Sequence, residues 1–323
     1  MTLDDAGPWP GADGALNGRP VDRDEFDALF DSLRRWRPGE PADPLGARAG
    51  HGREQVLAGT AVVRSGRTVS LALPVNRTAG IDNPRPALHH MVDLGDVEEP
   101  EPAGHKDFIG LDYHGKAVSH LDALCHIGFR GELYGGVPSR SAFTSQGSRW
   151  ADVTTLAAGL VQRAVLLDLP VLAATDWVEP GTAVSADDVT TGLARLGVAL
   201  RPGDALLLRT GLVARRLSLG AWDTGQSSAG FHVDAMALFA QLGISLLGGD
   251  GDSDVRPSPV AGVHSPVHAL ALTALGIPLL DNLDLEELSL ACREQDQYDM
   301  LLVVAPLVVP GGTGSPVNPI AIL

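Results

Sequence analysis

Residues 119–126, Ser-His-Leu-Asp-Ala-Leu-Cys-His, bring two imidazoles, a carboxylate and a thiol into eight positions of the chain. Imidazole and carboxylate groups are common ligands of divalent metal ions. In an extended backbone His120, Asp122 and His126 project to one side, because side chains alternate between two faces. On a helix, at about 100° per residue, Asp122 and His126 share a face while His120 points away. The spacing therefore allows a metal site, provided that the backbone is locally extended.

The same residues also fit the start of a helix. Ser119 with Asp122 three positions later matches an N-cap followed by an acidic residue in the first turn. This interpretation explains Ser119 and Asp122 but not the two flanking histidines, so the pattern leaves both structures open. For Cys125 we expect a small buried side chain rather than a nucleophile.

A second group of chemically active residues lies far along the chain. Of the ten histidines, five fall at residues 114–126 and 264–268, as expected for a site assembled from two distant segments. His268 begins a helical pattern, and the apolar run that follows it reads as a strand ending in Asp281. The C-terminal end of such a strand favours a ligand or catalytic group, although an aspartate there also forms turns or caps a helix.

Other kinds of site find little support. Residues 248–254, Gly-Gly-Asp-Gly-Asp-Ser-Asp, lack the full ligand spacing and terminal glutamate of a calcium loop, so we predict a tight loop at a strand end. The sequence contains neither the Gly-x-Ser-x-Gly elbow of serine hydrolases nor a glycine-rich phosphate loop. A serine triad and nucleotide-dependent chemistry are therefore disfavoured.

Composition narrows the function classes. The 323 residues are 44% hydrophobic and 20% charged, which is typical of a globular chain, and no apolar run approaches the roughly 18 to 20 residues that cross a bilayer. A net charge of −16 argues against nucleic acid as a partner. The acidic N-terminus argues against a signal peptide, and two cysteines are too few for a disulfide framework. We expect a cytoplasmic protein that binds a small molecule.

The candidate residues must be positioned by an α/β fold. We predict a leader over residues 1–20, a helix over 22–36, an irregular arm over 38–50 and a helix over 55–64. Strands and helices then alternate, which indicates a sheet layered with helices. Strands are predicted at 68–73, 164–169, 205–209, 244–247, 277–280 and 300–309, and helices at 185–196, 233–242, 266–275 and 285–291. Ser185 and Asp188 form a predicted capping box. Residues 1–50 are thus a leader and arm, and residues 51–323 one domain.

The motif resembles the His-x-Gly-Thr-His-x-Asp-x-Pro-x-His signature of the cyclase family, which includes bacterial kynurenine formamidase and isatin hydrolase. It is most similar to the longer branch of that family. Further matches extend from about residue 55 to the C-terminus, at residues 113–115, 131–136, 164–168, 203–211 and 267–283. Their common order makes the resemblance fairly specific.

The resemblance implies a single-domain α/β protein with a swivelling β/β/α-type fold, in which helices pack on a mixed sheet. It also implies a homodimer or homotetramer. The implied activity is metal-dependent hydrolysis of a cyclic or aryl-substituted amide, imide or lactone. Residues matching the family pattern would act as metal ligands (His120, Asp122, His268 and Asp281), as catalytic groups (His126 and His268) and in substrate contact (His114).

One departure from the signature changes the expected chemistry. Lys116 stands where the signature has its first histidine, so we expect one divalent ion per subunit, Zn²⁺ or Mn²⁺, rather than two. Lys116 is then a candidate catalytic residue, as a fixed positive charge facing the oxyanion. Two alternatives stay open: a non-hydrolytic cyclase or dehydratase acting on a polyketide-like substrate, and a scaffold whose catalytic site has lapsed.

Overall fold

The computed structural model describes residues 18–95 and 101–323, so most of the predicted leader lies outside the described residues. Nine α-helical segments occur in these ranges: α1 (Arg23–Leu33), α2 (Arg53–Thr60), α3 (Ser139–Ala142), α4 (Leu169–Ala173), α5 (Ala186–Arg195), α6 (Leu212–Leu219), α7 (Ala235–Leu242), α8 (Pro266–His268) and α9 (Glu286–Gln295). Helix α8 continues as a π-helical segment (Ala269–Leu275), and short 3-10 turns occur at Gly46–Arg48, Tyr134–Gly136 and Val153–Leu156.

The described residues form seventeen strands: β1 (Thr68–Ser70), β2 (Leu88–Asp93), β3 (Lys106–Gly110), β4 (His120–Asp122), β5 (Glu132–Leu133), β6 (Val137–Pro138), β7 (Phe143–Thr144), β8 (Gly147–Ser148), β9 (Leu160–Asp168), β10 (Ala183–Val184), β11 (Ala205–Arg209), β12 (Gly230–Phe231), β13 (Leu246–Gly249), β14 (Leu279–Asp281), β15 (Asp299–Val304), β16 (Gly314–Pro316) and β17 (Ile320–Ile322).

Nine of these strands form one mixed sheet in the order β1-β17-β15-β9-β11-β13-β14-β4-β16. The central strands β9, β11, β13 and β14 run parallel, whereas β4 is antiparallel to both β14 and β16. Every residue of β11 and β13 is buried, which is typical of parallel strands covered on both faces by helices. The expected single α/β unit, with a mixed sheet packed by helices, is confirmed.

Residues 18–50 pack on the main body of the protein. Asp22 caps α1 by accepting a hydrogen bond from the Glu25 backbone N–H. Phe26 and Phe30 of α1, together with Trp36, are buried in the same hydrophobic core as the central strands. The Trp36 indole donates to the Thr273 carbonyl oxygen at 2.8 Å, which satisfies its polar atom inside the core.

Several predicted elements have the observed bounds, and others need correction. Strand β11 has the predicted ends, and Ser185 and Asp188 form the predicted capping box of α5. The predicted helix at 55–64 begins and ends earlier, as α2. The strand predicted at 300–309 is wrong beyond Val304, because Pro306 and Pro310 have no N–H to donate to a sheet.

The antiparallel hairpin of β2 and β3 was not predicted. These two strands pair with each other and form a separate two-stranded sheet. Their sequence mixes histidine, lysine and aspartate with apolar residues, so it lacks the alternation that marks a half-buried strand. Across the described ranges, no helix is both long enough and apolar enough to span a membrane.

Candidate metal centre

Strand β4 lies between β14 and β16 and carries two of the predicted ligands on one face. His120 and Asp122 point to this face, while the intervening Leu121 is fully buried in the hydrophobic core. The extended backbone that a metal site requires is therefore confirmed, and the alternative in which Ser119 caps a helix is wrong. The Ser119 hydroxyl instead donates to the Asn282 carbonyl oxygen and accepts from the Leu73 N–H, which joins β4 to its neighbours.

The pairing of β14 with β4 brings the distant predicted ligand Asp281 into the same place. Asp281 is the register partner of His120 in this antiparallel pair. Residues directly opposite each other in a sheet project to the same face, so Asp281 joins His120 and Asp122. All three side chains are buried.

Four imidazoles surround the Asp122 carboxylate. Oδ1 lies 2.8 Å from His114 Nδ1 and 3.4 Å from His120 Nε2, and Oδ2 lies 3.6 Å from His268 Nε2 and 3.9 Å from His126 Nε2. Burial opposes ionisation of Asp122, but the nearby imidazoles outweigh it and hold the pKa of this carboxyl well below its usual range. Asp122 is therefore an anion at neutral pH.

Two groups of side chains, both containing Asp122, can hold a metal ion. The first is His120, Asp122 and Asp281, and the second is His114, Asp122 and His126; in each group the ligand atoms lie within 4.8 Å of one another. The first group is buried throughout, whereas His114 and His126 are each 21% exposed. Of the predicted ligands, His268 lies next to these groups but belongs to neither.

Unsatisfied polar atoms in the cluster test whether a cation fits there. Both carboxylate oxygens of Asp122, Oδ2 of Asp281 and Nδ1 of His114 are buried without a hydrogen-bond partner. The close approach of His114 Nδ1 to Asp122 thus lacks hydrogen-bond geometry. Buried carboxylates are normally paired, hydrogen-bonded or bound to metal. These donor atoms fit a divalent cation.

Neighbouring groups orient two of the ligand atoms, those of His120 and Asp281, toward the cluster. His120 Nδ1 donates to the Val118 carbonyl oxygen at 2.8 Å, which leaves the lone pair on Nε2, the atom nearer Asp122. The Ser253 hydroxyl donates to Oδ1 of Asp281 at 2.7 Å and leaves Oδ2 free. Such outer partners fix the tautomer and orientation of metal ligands.

His268 is held differently, between carboxylates. Its Nδ1 donates to Oδ2 of Asp254 at 2.5 Å, and its Nε2 lies 3.4 Å from Oδ2 of Asp281. Burial alone would lower its pKa, but the hydrogen bond to Asp254 and the nearby Asp281 carboxylate raise that pKa well above its ordinary value. With these partners His268 carries a proton. Its assignment to catalysis or to the metal stays a prediction.

His126, unlike His268, is unprotonated at neutral pH. Burial and the surrounding imidazoles outweigh the attraction of Asp122 and lower its pKa to about 4. Its ring stacks on that of His114, with centroids 3.8 Å apart and an interplanar angle of 3°. His126 is therefore neutral near pH 7 and has a lone pair available.

Lys116 is engaged outside the ligand groups. Its ammonium contacts Oδ2 of the buried Asp252, which also accepts from Arg256 at 3.0 Å. Burial opposes ionisation of Asp252, but the two cations outweigh it and lower its pKa. Lys116 also lines a cavity of about 660 Å³ whose walls include Leu73, Leu212 and Trp222. The predicted oxyanion role of Lys116 stays a prediction, with its charge balanced by Asp252.

The sequence did not identify several residues that shape the site. The sequence predicts Ser253 and Asp254 in a tight loop after a strand, and β13 ends at Gly249, before these two residues. Asp254 accepts hydrogen bonds from the Val267 and His268 N–H groups as well as from the His268 ring. No local pattern marks such a partner, because only the fold brings residues 254 and 268 together.

Comparisons with known proteins agree with this architecture. The chain is similar to a solved structure described as a novel cyclase, with 28% identity, coverage of 91% of this chain and 99% of the other, and a TM-score of 0.80. Isatin hydrolase A from Labrenzia aggregata shares the fold at 21% identity and a TM-score of 0.59, covering 84% of this chain and 98% of the other. Isatin hydrolase A from Ralstonia solanacearum shares the fold at 21% identity and a TM-score of 0.57, covering 80% of this chain and 92% of the other. No curated protein sequence matches the chain.

The chain thus shares its α/β fold with isatin hydrolase, and its buried His/Asp cluster could hold a metal ion. Residues 71–253, more than half of the chain, match the model of the Cyclase family, described as "Putative cyclase". The chain belongs to this family, which confirms the resemblance drawn from residues 119–126.

Proposed function

We propose that the protein is a metal-dependent hydrolase that opens a cyclic or aryl-substituted amide, imide or lactone. The observation that carries the proposal is the set of buried, unpartnered oxygens of Asp122 and Asp281 beside the Nε2 lone pair of His120. We assign the ion to this group, at one per chain, because its three side chains are buried and it leaves His126 available for proton transfer.

A bound Zn²⁺ or Mn²⁺ would polarise the scissile carbonyl and lower the pKa of a water ligand toward about 7. The ligand set of one imidazole and two carboxylates is suited to either ion. Ser253 and the Val118 carbonyl hold two of these ligands in position, so the site is organised before an ion enters.

His126 is the proposed proton carrier. It is neutral near pH 7, its Nε2 lies 3.9 Å from Asp122, and 21% of its side chain is exposed. Its Nε2 would take a proton from the attacking water and return it to the leaving nitrogen or oxygen. Asp122 would stabilise the imidazolium that exists between these two transfers.

The cavity beside Lys116 supports a small, largely apolar substrate. Its volume of about 660 Å³ falls in the range of small-molecule sites, and Trp222 and Leu212 offer apolar contact to a ring. Lys116 and Leu212 also line a small void of about 10 Å³ that reaches Asp252 and Asn282, the residue after Asp281. The cavity thus borders the segment that carries a proposed ligand. We further propose a cytoplasmic location, in which the two free cysteines would stay reduced.

Product analysis of the metal-loaded protein tests the proposal. The probes are isatin, an aryl formamide, a cyclic imide and an aryl lactone, each incubated with protein loaded with Zn²⁺ or Mn²⁺. Hydrolysis adds the mass of one water to a substrate, and protein stripped of metal should be inactive. Loss of one water from a polyketide-like probe would support the cyclase alternative instead. Failure to bind any ion would support a lapsed scaffold.

A further inference from the structure

The small void beside the cavity of about 660 Å³, here called the polar void, has room for a single chemical group. Its volume is about 10 Å³, which is close to the space that one oxygen-sized group needs. Lys116, Leu212 and Thr224 line both spaces, so the polar void lies directly next to the cavity. A ligand bound in the cavity can therefore extend one small substituent into the polar void.

Two buried polar atoms in the wall of the polar void have no hydrogen-bond partner among the described residues. They are the hydroxyl oxygen of Thr224 and Oδ1 of Asp252, and the two residues are only 8% and 6% exposed. Buried polar atoms in folded proteins are normally bonded to protein, water or a ligand. These two atoms therefore indicate that the polar void receives an occupant.

The other polar side chains of the wall are already engaged. Asn282 Nδ2 donates to the carbonyl oxygens of Gly115 at 2.8 Å and Val118 at 3.2 Å. The Ser228 hydroxyl donates to the Asp254 carbonyl oxygen at 3.4 Å. An occupant would therefore bond mainly to the two atoms without a partner and to the adjacent ammonium of the lysine.

The ion pairs of Asp252 determine which hydrogen bond an occupant must make. The Lys116 ammonium contacts Oδ2, and Arg256 donates to the same oxygen at 3.0 Å, so both cations lie on one side of the carboxylate. Oδ1 of this carboxylate can only accept, so the occupant must donate. The Thr224 hydroxyl and the remaining N–H groups of Lys116 can donate in return. A hydroxyl group, which both donates and accepts, meets these requirements.

The adjoining cavity is suited to an aromatic ring. Leu73, Leu212 and Trp222 give it apolar walls. The Trp222 indole donates to the Ser227 carbonyl oxygen at 2.8 Å, so a ligand that covers this ring leaves no polar atom unsatisfied. Building on the proposed function, we propose that the substrate is a hydroxyaryl compound. Its ring occupies the cavity, its hydroxyl group enters the polar void and donates to Asp252, and Thr224 is a specificity-determining residue.

Crystals of the metal-loaded protein soaked with phenol test the position of the hydroxyl group. We expect the phenol ring beside Trp222 and its oxygen within hydrogen-bond distance of both Asp252 Oδ1 and Thr224 Oγ1. A single water molecule is the alternative occupant of the polar void. Phenol that is absent from the cavity, or that leaves a water in the polar void, would overturn the proposal.

Titration calorimetry in solution measures the requirement for a donor. Phenol should bind about 10- to 100-fold more tightly than anisole, because the methoxy group of anisole cannot donate to the charged carboxylate. Equal affinities for the two probes would contradict the proposal.

Substitution of Thr224 tests its part in this recognition. Thr224→Val removes the hydroxyl at nearly constant size and should weaken phenol binding about 3- to 10-fold, whereas Thr224→Ser should restore it. Thr190→Val, at an exposed threonine of α5 that lines neither space, is the matched control and should bind phenol as the natural protein does. Unchanged phenol binding by a folded Thr224→Val variant would exclude Thr224 from the subsite.

Hydrolysis rates separate this proposal from the proposed function on which it rests. Each probe that the metal-loaded protein hydrolyses is compared with its monohydroxylated isomers, for example formanilide with the hydroxyformanilides. The isomer whose hydroxyl reaches the polar void should exceed the plain probe in kcat/KM by about 10- to 100-fold. Hydrolysis without preference for any isomer would overturn the hydroxyaryl assignment and leave the hydrolase in place. Phenol bound in the polar void without hydrolysis of any probe would support the subsite and contradict the hydrolase.

Discussion

Asp281 lies directly opposite His120 across the antiparallel pair of β14 and β4. This register places the two side chains on one face of the sheet, together with Asp122 two residues beyond His120. The apolar Leu121 between them is buried in the core, so the same short strand anchors the sheet and presents ligands. The candidate metal centre thus results from strand pairing.

Removal of Asp281 should release the ion. Asp281→Ala deletes one of the three proposed ligands and should leave the protein with much less than one metal ion per chain after dialysis, as measured by elemental analysis. Asp187→Ala, at an exposed aspartate in the first turn of α5, is the control and should retain the full complement. Full retention by Asp281→Ala would mean that Asp281 is not a ligand.

The Ser253 hydroxyl should tune metal affinity without contacting the ion. Ser253→Ala frees the Asp281 carboxylate to rotate, because it removes the 2.7 Å hydrogen bond to Oδ1. Loss of such a partner weakens metal binding about 10- to 100-fold. Competition with a chelator measures this change, with the exposed Ser32→Ala as control. An unchanged affinity would remove Ser253 from the site.

Replacement of His126 should separate catalysis from metal binding. His126→Ala deletes the proposed proton carrier and should lower kcat by about 10²- to 10⁴-fold on a substrate found by product analysis. Its metal content should stay at one ion per chain, since His126 is outside the proposed ligand group. His89→Ala, in β2 and outside the candidate metal centre, is the matched control. Undiminished turnover by His126→Ala would exclude the proton-transfer role.

Neither thiol should react in the folded protein. Burial raises the pKa of Cys125 to about 11 and that of Cys292 to about 12. At pH 8 both groups are therefore protonated as well as inaccessible, and a thiol reagent such as DTNB should label neither until the protein is unfolded. Two equivalents should then react. Rapid labelling of native Cys125 would contradict this prediction and would indicate a possible cysteine nucleophile beside the candidate metal centre.

Leu121 lies between two candidate ligands, but we expect it to stabilise the folded protein through its packing in the core. Leu121→Ala creates a cavity beneath β4 and should lower the free energy of unfolding by about 2 to 5 kcal/mol, measured by denaturant titration. Leu57→Ala, at an exposed leucine of α2, should change it by about 0.5 kcal/mol or less. A small effect of Leu121→Ala would contradict the packing described for β4.

The sequence predicts the α/β layering and most central elements because these have strong, regular patterns. The continuous apolar run of β11 and the capping box of α5 are examples. The hairpin of β2 and β3 was not predicted, because its exposed apolar residues form no buried face that a sequence pattern would show. The strand predicted at 300–309 extends past the end of β15 because apolar residues continue to Val309, although the prolines after Val304 cannot donate to a sheet.

The site was predicted only as far as single segments allow. Spacing in one strand is enough to place His120 and Asp122 together, and both the predicted strand end and the family resemblance indicate Asp281. The partners Ser253 and Asp254 depend on loops that meet only in the folded chain. Likewise, Nδ1 of His114, the residue assigned to substrate contact, lies 2.8 Å from Oδ1 of Asp122. Spacing alone does not encode this contact, because it depends on the path of the loop between the two residues.

An anomalous difference map measured at the absorption edge of the added metal tests the central claim most directly. Crystals of protein loaded with Zn²⁺ or Mn²⁺ should show one strong peak per chain, coordinated by His120 Nε2, Asp122 and Oδ2 of Asp281. A map without a peak at these atoms, or with its peak at residues outside the cluster around Asp122, would contradict the assignment of this site as the metal centre.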